Sequence, residues 1–372
     1  MQPASLLGTD RWDLLVRRDD VSVFSLRPRA ELPLEPGTAR LAVEALVLTS
    51  NNLTYAALGE RAGYWTAFPA PPGFGRVPAW GIAVVEASTH GDVAVGDRYF
   101  GLLPMSTDLT VRPASTETGS FLDDSAHRSG LDDSYRRYRP AGEPDHLDLL
   151  RAVVRTTYPA CLQLADHVMD VHADTRPLTV VLSSASSKTA IGTAERLTRA
   201  PGIRTHGLTS PVNVAFTAGL DVYDQVSAYD DLDRLAAEGP AVFLDLTRNP
   251  DVVTSVHQLL GNRLRRTVLI GGTHSGQPLE VPGLPEPDRF FAPAQQALQR
   301  TKIGDLAYEQ RLAAAEEQFL RRATDWLRVD ERVGPAALQD AFRALVAGPQ
   351  APDVATVVRP RPGPVSRDAA RN

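Results

Sequence analysis

Short apolar segments alternate with helix-like segments between residues 177 and 272, and this alternation constrains the fold more than any other feature of the chain. The apolar segments are rich in Val, Leu and Ile, which is typical of buried parallel strands. The alternation predicts a doubly wound parallel sheet of the α/β class. The predicted strands are 177–184, 204–210, 221–229, 241–247 and 266–272, and the predicted helices are 188–200, 212–220, 231–237 and 250–262.

The first hundred residues are instead β-rich, with apolar segments at 39–50, 80–88 and 97–105. Residues 112–146 are polar, and we interpret them as a surface excursion that could act as a lid. The apolar spacing after residue 147 predicts a long helix. The chain after residue 285 reads as further helices and a closing strand at 355–360.

Composition excludes several classes of protein. The single cysteine, Cys161, can form neither an internal disulfide nor a cysteine-based zinc cluster, and we expect it in the core. The formal charge of −6 argues against a broad nucleic-acid surface. No apolar run approaches the roughly 20 residues of a membrane-spanning helix, and the charged N-terminus does not read as a signal peptide. We therefore expect a cytoplasmic protein without nucleic-acid or membrane partners.

A serine-rich turn follows the first strand of the predicted sheet, where such sheets bind phosphate at a helix N-terminus. Serine stands where the usual signature has glycine, and one of the two lysines of the chain follows it. The candidate cofactor residues are Ser184, Ser186, Ser187, Lys188 and Thr189. The alternative is an ordinary turn with a serine N-cap, and the residues alone do not decide between the two.

The end of the next strand bears on the choice of nucleotide. Sites that prefer NAD place a carboxylate there for the ribose 2′-hydroxyl, whereas this chain has Thr209, Ser210 and Asn213. The missing carboxylate favours NADP, because an acid would repel its 2′-phosphate. A simple polar turn is the alternative.

The order of these segments resembles the medium-chain dehydrogenase/reductase superfamily, in its zinc-free, quinone- or enoyl-reductase-like branch, and within it a bacterial subgroup of unknown function. The residues that carry the resemblance are AGYW at 62–65, VGDRYFG at 95–101 and RTVLIGG at 266–272. The resemblance covers nearly the whole chain. It implies a GroES-like β-barrel domain from residues 1–150 and 285–372, and a Rossmann dinucleotide-binding domain from residues 151–284.

The resemblance also implies roles for individual residues. Gly271 and Gly272 would lie beside the nicotinamide, and Tyr64 would be the proton donor, with Tyr55 and Asn52 in the neighbouring turn as further catalytic candidates. For any one tyrosine, a packing role is the alternative. Trp65 and Trp80 are expected as pocket walls.

The activity implied is NADPH-dependent hydride transfer to an α,β-unsaturated carbonyl compound, enoyl or quinone-like, with secondary metabolism as the suggested context. Asn51 and Asn52 stand where the zinc-dependent branch has a metal ligand, so no metal is expected. The alternative is a non-redox lyase or isomerase, or a ligand-binding protein with a lost or repurposed nucleotide site. The resemblance further implies a homodimer, with residues 266–272 as a candidate edge strand.

Overall fold

The computed structural model describes residues 11–232, 235, 239–271, 286–348 and 350–362. The chain divides into two compact units. Unit 1 combines the chain up to Thr156 with the chain from Ala323 onward, and unit 2 runs from Thr157 to Arg322. The expected domain boundary at residue 285 differs from this division, because the helical segment from residue 292 to Arg322 groups with unit 2.

Unit 2 contains a parallel sheet with, among the described residues, the strand order β13 (Gln225–Ala228), β12 (Ile203–Thr209), β11 (Leu178–Leu182), β14 (Ala241–Asp245), β15 (Leu264–Ile270) and β16 (Asp288–Phe290). The two central strands, β11 and β14, are buried along their whole length, which explains their mainly apolar sequences. The α/β prediction is confirmed.

Helices connect these strands, as the alternation predicted. Most of the predicted helix 231–237 lies outside the described residues. Short 3₁₀ segments cover Pro211–Asn213 and Gly261–Arg263. The helices are α4 (Asp148–Val171), which leads from unit 1 into unit 2, α5 (Lys188–Leu197), α6 (Val214–Gly219), α7 (Pro250–Leu260), α8 (Ala292–Ile303) and α9 (Asp305–Ala323).

Unit 1 is mainly β structure. Its strands are β1 (Trp12–Arg17), β2 (Phe24–Pro28), β3 (Ala39–Leu48), β4 (Phe74–Gly75), β5 (Pro78–Ser88), β6 (Arg98–Pro104), β7 (Asp108–Val111), β8 (Pro113–Ser115), β9 (Phe121–Asp123), β10 (Arg137–Pro140), β17 (Arg328–Val333) and β18 (Val354–Arg359). In the described chain, one sheet follows the order β17-β18-β3-β5-β6-β10-β9-β8, with β7 also on β3, and a smaller sheet has the order β2-β1-β4. The helices are α1 (Ser50–Ala57), α2 (Tyr64–Ala67), α3 (Asp133–Arg136) and α10 (Pro335–Ala347).

The predicted surface excursion at 112–146 is part of the main sheet of unit 1. Strand β10 pairs with both β6 and β9, and Arg128, within the same segment, is fully buried. The guanidinium of Arg128 binds Asp123 at 2.9 Å and the hydroxyl of Tyr138 at 2.8 Å. Residues 112–146 are therefore a fixed part of unit 1 and not a lid, because strand pairing and a buried ion pair hold them in place.

The segment expected to form the edge strand of a dimer, residues 266–272, also differs from the prediction. Strand β15 pairs with β14 on one side and β16 on the other, so it is interior. Among the described residues, the edge strand at this side of the sheet is β16, which has three residues and was not predicted.

Candidate functional site

The serine turn, residues 183–187, joins β11 to α5 at the carboxyl edge of the parallel sheet. Ser184 has a left-handed backbone with φ of 48°, which lets the chain reverse at the end of β11. The side chain of Ser187 accepts a hydrogen bond from the backbone of Ala190 at 3.2 Å and caps α5. The serine N-cap is thus observed. It is compatible with anion binding, because other first-turn amides of a helix have no partner within the helix.

Two tyrosines that were not among the predicted site residues form hydrogen bonds with the backbone of this turn. The hydroxyl of Tyr229 accepts a hydrogen bond from the Ser184 amide at 2.7 Å, and the hydroxyl of Tyr223 donates to the carbonyl of Ala185 at 2.9 Å. Gly207 lies against the same turn, where a Cβ atom would stand 2.8 Å from that of Ala185. The backbone of the serine turn is therefore held by groups from β12 and from the two ends of β13.

The hydroxyl of Ser186 accepts hydrogen bonds from two other predicted nucleotide-binding residues. Thr209 Oγ1 and Asn213 Nδ2 each donate to Ser186 Oγ at 3.2 Å. Among the described residues, no protein group accepts the proton of Ser186, so this hydroxyl can donate to a ligand. Ser210 follows Thr209 and precedes the 3₁₀ turn at Pro211–Asn213.

The other predicted nucleotide residues have less distinctive surroundings. Lys188 and Thr189 are the first two residues of α5, and both are half-buried. Gly271 follows β15 with φ of 73°, and a Cβ atom there would meet no atom of the described residues within 4 Å. Gly272 lies outside the described residues.

A buried carboxylate next to the serine turn was missed. Asp245, at the end of β14, is 0% exposed and accepts a hydrogen bond from Ser183 Oγ at 2.8 Å. It also accepts from the Thr247 hydroxyl at 2.6 Å and from the Arg248 amide at 3.0 Å. These bonds link the loop after β14 to the serine turn across two neighbouring strands.

In unit 1, the predicted catalytic residue Asn52 has a structural role. Its Oδ1 accepts from the Thr49 amide at 2.7 Å within a capping box, and its Nδ2 donates to the Pro78 carbonyl at 2.8 Å. The side chain is 1% exposed. These contacts fix the start of α1 against β5, and the ligand-orienting role of Asn52 stays a prediction.

Four aromatic residues, Tyr55, Tyr64, Trp80 and Tyr135, form a group that we call the phenol cluster. Gly63, with φ of 72°, precedes Tyr64 and starts α2. Trp80 Nε1 donates to the Tyr55 hydroxyl at 3.0 Å, and the Tyr64 hydroxyl donates to that of Tyr135 at 3.0 Å. The ring centroids of Tyr55 and Tyr64 are 4.8 Å apart, and those of Tyr64 and Tyr135 are 5.5 Å apart.

The three phenols of this cluster are held in the neutral form. Burial raises the pKa of Tyr55 and the pKa of Tyr64, and it raises the pKa of Tyr135 well above the ordinary value of 10.0. They are protonated at neutral pH and can donate hydrogen bonds to a developing negative charge.

Tyr135 was not predicted, and the buried Arg128 fixes its position. The Arg128 guanidinium donates to the backbone carbonyl of Tyr135 at 2.6 Å. The only sequence signal was the run of tyrosine and arginine at 135–138, which a solvated surface explains equally well. Trp65, expected as a pocket wall, is instead 2% exposed in the core, where Gly59 and Gly75 leave room for its ring.

Two other titratable side chains of unit 2, Cys161 and His206, are buried. Cys161 is fully buried, as expected, and burial raises the pKa of its thiol to about 12. His206 is also buried, and its Nε2 lies 2.9 Å from Ser227 Oγ. Within the described ranges, no three His, Cys, Asp or Glu side chains are grouped so as to hold a metal ion. None of the described helices combines the length and apolar character required to cross a membrane.

Comparison with known proteins gives a family and a set of structural relatives. The model of a family described as "Protein of unknown function (DUF2855)" matches residues 46–351. No curated protein matches the sequence.

The similar solved structures include quinone oxidoreductases and proteins solved in complex with NADPH. CurA from Vibrio vulnificus, solved in complex with NADPH, has 16% identity and a TM-score of 0.60 over 95% of this chain and 100% of its own. The quinone oxidoreductase from Coxiella burnetii has 14% identity and a TM-score of 0.57 over 94% of this chain and 99% of its own. The quinone oxidoreductase from Thermus thermophilus, also solved with NADPH, has 18% identity and a TM-score of 0.52 over 94% of this chain and 99% of its own.

At these identities the likeness concerns the fold. It confirms the predicted architecture of a GroES-like domain and a Rossmann domain, and the similar structures include quinone oxidoreductases and an enoyl reductase.

Proposed function

The chain belongs to the DUF2855 family of proteins of unknown function, and from this premise we propose that it is an NADPH-dependent reductase that transfers a hydride to an α,β-unsaturated carbonyl compound. The observation that carries the proposal is the hydroxyl and amide group formed by Ser186, Thr209 and Asn213 beside the N-terminus of α5. Ligands of doubly wound sheets bind at this carboxyl edge. Similar folds solved with NADPH support the same choice of nucleotide.

The residues present fit a phosphorylated dinucleotide. The Ser186 hydroxyl has a proton to donate, and the first turn of α5 offers amides and a partial positive charge to phosphate. Residues 208–213 contain no carboxylate, so nothing in this segment opposes a 2′-phosphate. We assign Ser186, Ser187 and Thr189 to the pyrophosphate region and Thr209, Ser210 and Asn213 to the adenosine ribose.

When bound, NADPH would supply the hydride for the β-carbon of the substrate and would leave as NADP⁺. As the β-carbon accepts this electron pair, negative charge develops on the carbonyl oxygen. The phenol cluster of unit 1 offers neutral hydroxyl donors of the kind that would stabilise such a charge, and a proton taken up from solvent would complete the reduction at the α-carbon. Tyr64, packed between Tyr55 and Tyr135, is the central residue of this group.

The nucleotide assignment is tested by Asn213→Asp. A carboxylate at this position would face the 2′-phosphate, so NADPH affinity should fall by about tenfold or more, equivalent to about 1.4 kcal/mol, while NADH affinity is kept. Asn262→Asp is the matched control, because it makes the same change at an exposed site near the amino end of β15. Calorimetric titration of both variants with both nucleotides gives the result. Equal losses for NADPH and NADH in Asn213→Asp would contradict the assignment.

The reaction is tested by following NADPH oxidation with a panel of conjugated enones, quinones and enoyl thioesters. Tyr64→Phe should lower turnover by about tenfold or more with little change in NADPH affinity, because it keeps the ring and removes the hydroxyl that orients the Tyr135 donor. Unchanged turnover in this variant would remove Tyr64 from the mechanism.

One observation favours a second candidate, a non-redox enzyme or a ligand-binding protein. The amide of Ser184, which a dinucleotide could otherwise use, already donates to Tyr229. This candidate predicts that neither nucleotide binds and that no carbonyl compound causes NADPH oxidation.

A further inference from the structure

Two hydroxyl groups of the phenol cluster have protons that no protein group accepts, among the residues that the structure describes. Tyr55 accepts from Trp80 Nε1 at 3.0 Å, and Tyr135 accepts from Tyr64 at 3.0 Å. A phenol oxygen that accepts a hydrogen bond still has its own proton to donate. The cluster therefore offers two donors, Tyr55 and Tyr135, each polarised by the bond that it accepts.

The rings that carry these donors are close together and fixed by packing. The centroids of Tyr55 and Tyr135 are 6.2 Å apart at an interplanar angle of 84°, and the ring of Tyr64 contacts both. Tyr55 is 7% exposed, whereas Tyr135 and Trp80 are half-buried, so one edge of the cluster reaches solvent. Donors held in place in this way need little reorganisation when charge appears on a ligand.

We propose that Tyr55 and Tyr135 form a two-donor oxyanion site, with Tyr64 and Trp80 as positioning residues that orient the two hydroxyls. The ligand is the oxygen of an enolate or a phenolate, and its identification with the substrate carbonyl rests on the proposed reductase function. Binding of the negatively charged oxygen of such a ligand requires no nucleotide. This assignment places the donors on either side of Tyr64 and makes Tyr135 a residue that touches the ligand.

The test uses 4-nitrophenol, whose phenolate is coloured, as a probe of oxyanion binding by the full-length protein without nucleotide. Wild type should bind the phenolate in preference to the phenol and raise the phenolate absorbance at a pH near the pKa of the probe. Tyr55→Phe and Tyr135→Phe should each weaken binding by about tenfold or more, as expected for a hydrogen bond to a charged group. Tyr64→Phe should have a smaller effect, because it removes an orienting bond only.

Tyr99→Phe is the matched control, since it removes a phenol hydroxyl of unit 1 that lies near Asp97 and outside the cluster. It should bind the probe as wild type does, and thermal melting should show that all four variants are folded. Failure of wild type to bind the phenolate, or full binding by both Tyr55→Phe and Tyr135→Phe, would overturn the proposal.

The two proposals fail in different ways. Phenolate binding without any NADPH oxidation would refute the reductase function and leave the oxyanion site standing. NADPH oxidation that survives both Tyr55→Phe and Tyr135→Phe would refute the oxyanion site and leave the reductase function standing.

Discussion

Replacing Arg128 with methionine should destabilise unit 1 strongly. The side chain is 0% exposed, and its guanidinium binds Asp123 at 2.9 Å, the Tyr138 hydroxyl at 2.8 Å and the Tyr135 carbonyl at 2.6 Å. It also lies over the ring of Phe68, 5.0 Å from the centroid. Methionine fills much of the space but leaves a buried carboxylate without its counter-charge.

Removing one partner of a buried ion pair costs about 3–5 kcal/mol, because the other charge remains desolvated. We expect a loss in this range, since Asp123 keeps the hydrogen bonds from the Arg112 amide and the Ser125 hydroxyl but loses the guanidinium that neutralises it. Arg112→Met is the control. Its ion pair with Glu35 is exposed, so its loss should cost about 0–1 kcal/mol.

Tryptophan fluorescence during guanidinium unfolding measures the effect in unit 1 specifically, because all four tryptophans of the chain belong to that unit. The midpoint of the fluorescence transition should fall for Arg128→Met and stay near wild type for Arg112→Met. Equal midpoints for the two variants would refute the reasoning that the ion pair anchors residues 112–146.

Two further predictions concern unit 2. Gly192→Ala should lower stability by about 1–3 kcal/mol, because its Cβ would stand 2.8 Å from the sulfur of Cys161, and adding Cys161→Ala should restore much of the loss in a thermal melt followed by circular dichroism. Burial lowers the pKa of His206 to about 4, so between pH 6.5 and 4 the unfolded chain binds the proton and the folded chain does not. The free energy of unfolding should therefore fall by up to about 3 kcal/mol as pH drops through this window, and denaturant unfolding of His206→Gln should lack that part of the pH dependence.

The elements that the sequence predicted well are those whose burial leaves a periodic pattern. Strands β11 and β14 are apolar apart from Thr179 and Asp245, because both faces of each strand are covered. Strand β17, RVDERV, has four charged residues and no fully buried one, and it pairs only with β18 in the described chain, so it has no apolar signal. Strand β16 has three residues, which is too short for a period to show.

The same distinction applies to the site. Ser186, Thr209 and Asn213 could be grouped beforehand because the carboxyl ends of neighbouring parallel strands meet at one edge. The contact between Tyr64 and Tyr135 joins residues 71 positions apart, and no local pattern encodes such a distance. The structural role of Asn52 could not be separated from a catalytic one, because a capping asparagine and a ligand-binding asparagine look alike in sequence.

Calorimetric titration of the wild-type protein with NADPH and with NADH tests the central claim most directly. The Ser186, Thr209 and Asn213 group and the absence of a carboxylate in residues 208–213 predict that NADPH binds at least about tenfold more tightly, a difference of about 1.4 kcal/mol. NADH binding as tightly as NADPH, or binding of neither nucleotide, would contradict the account.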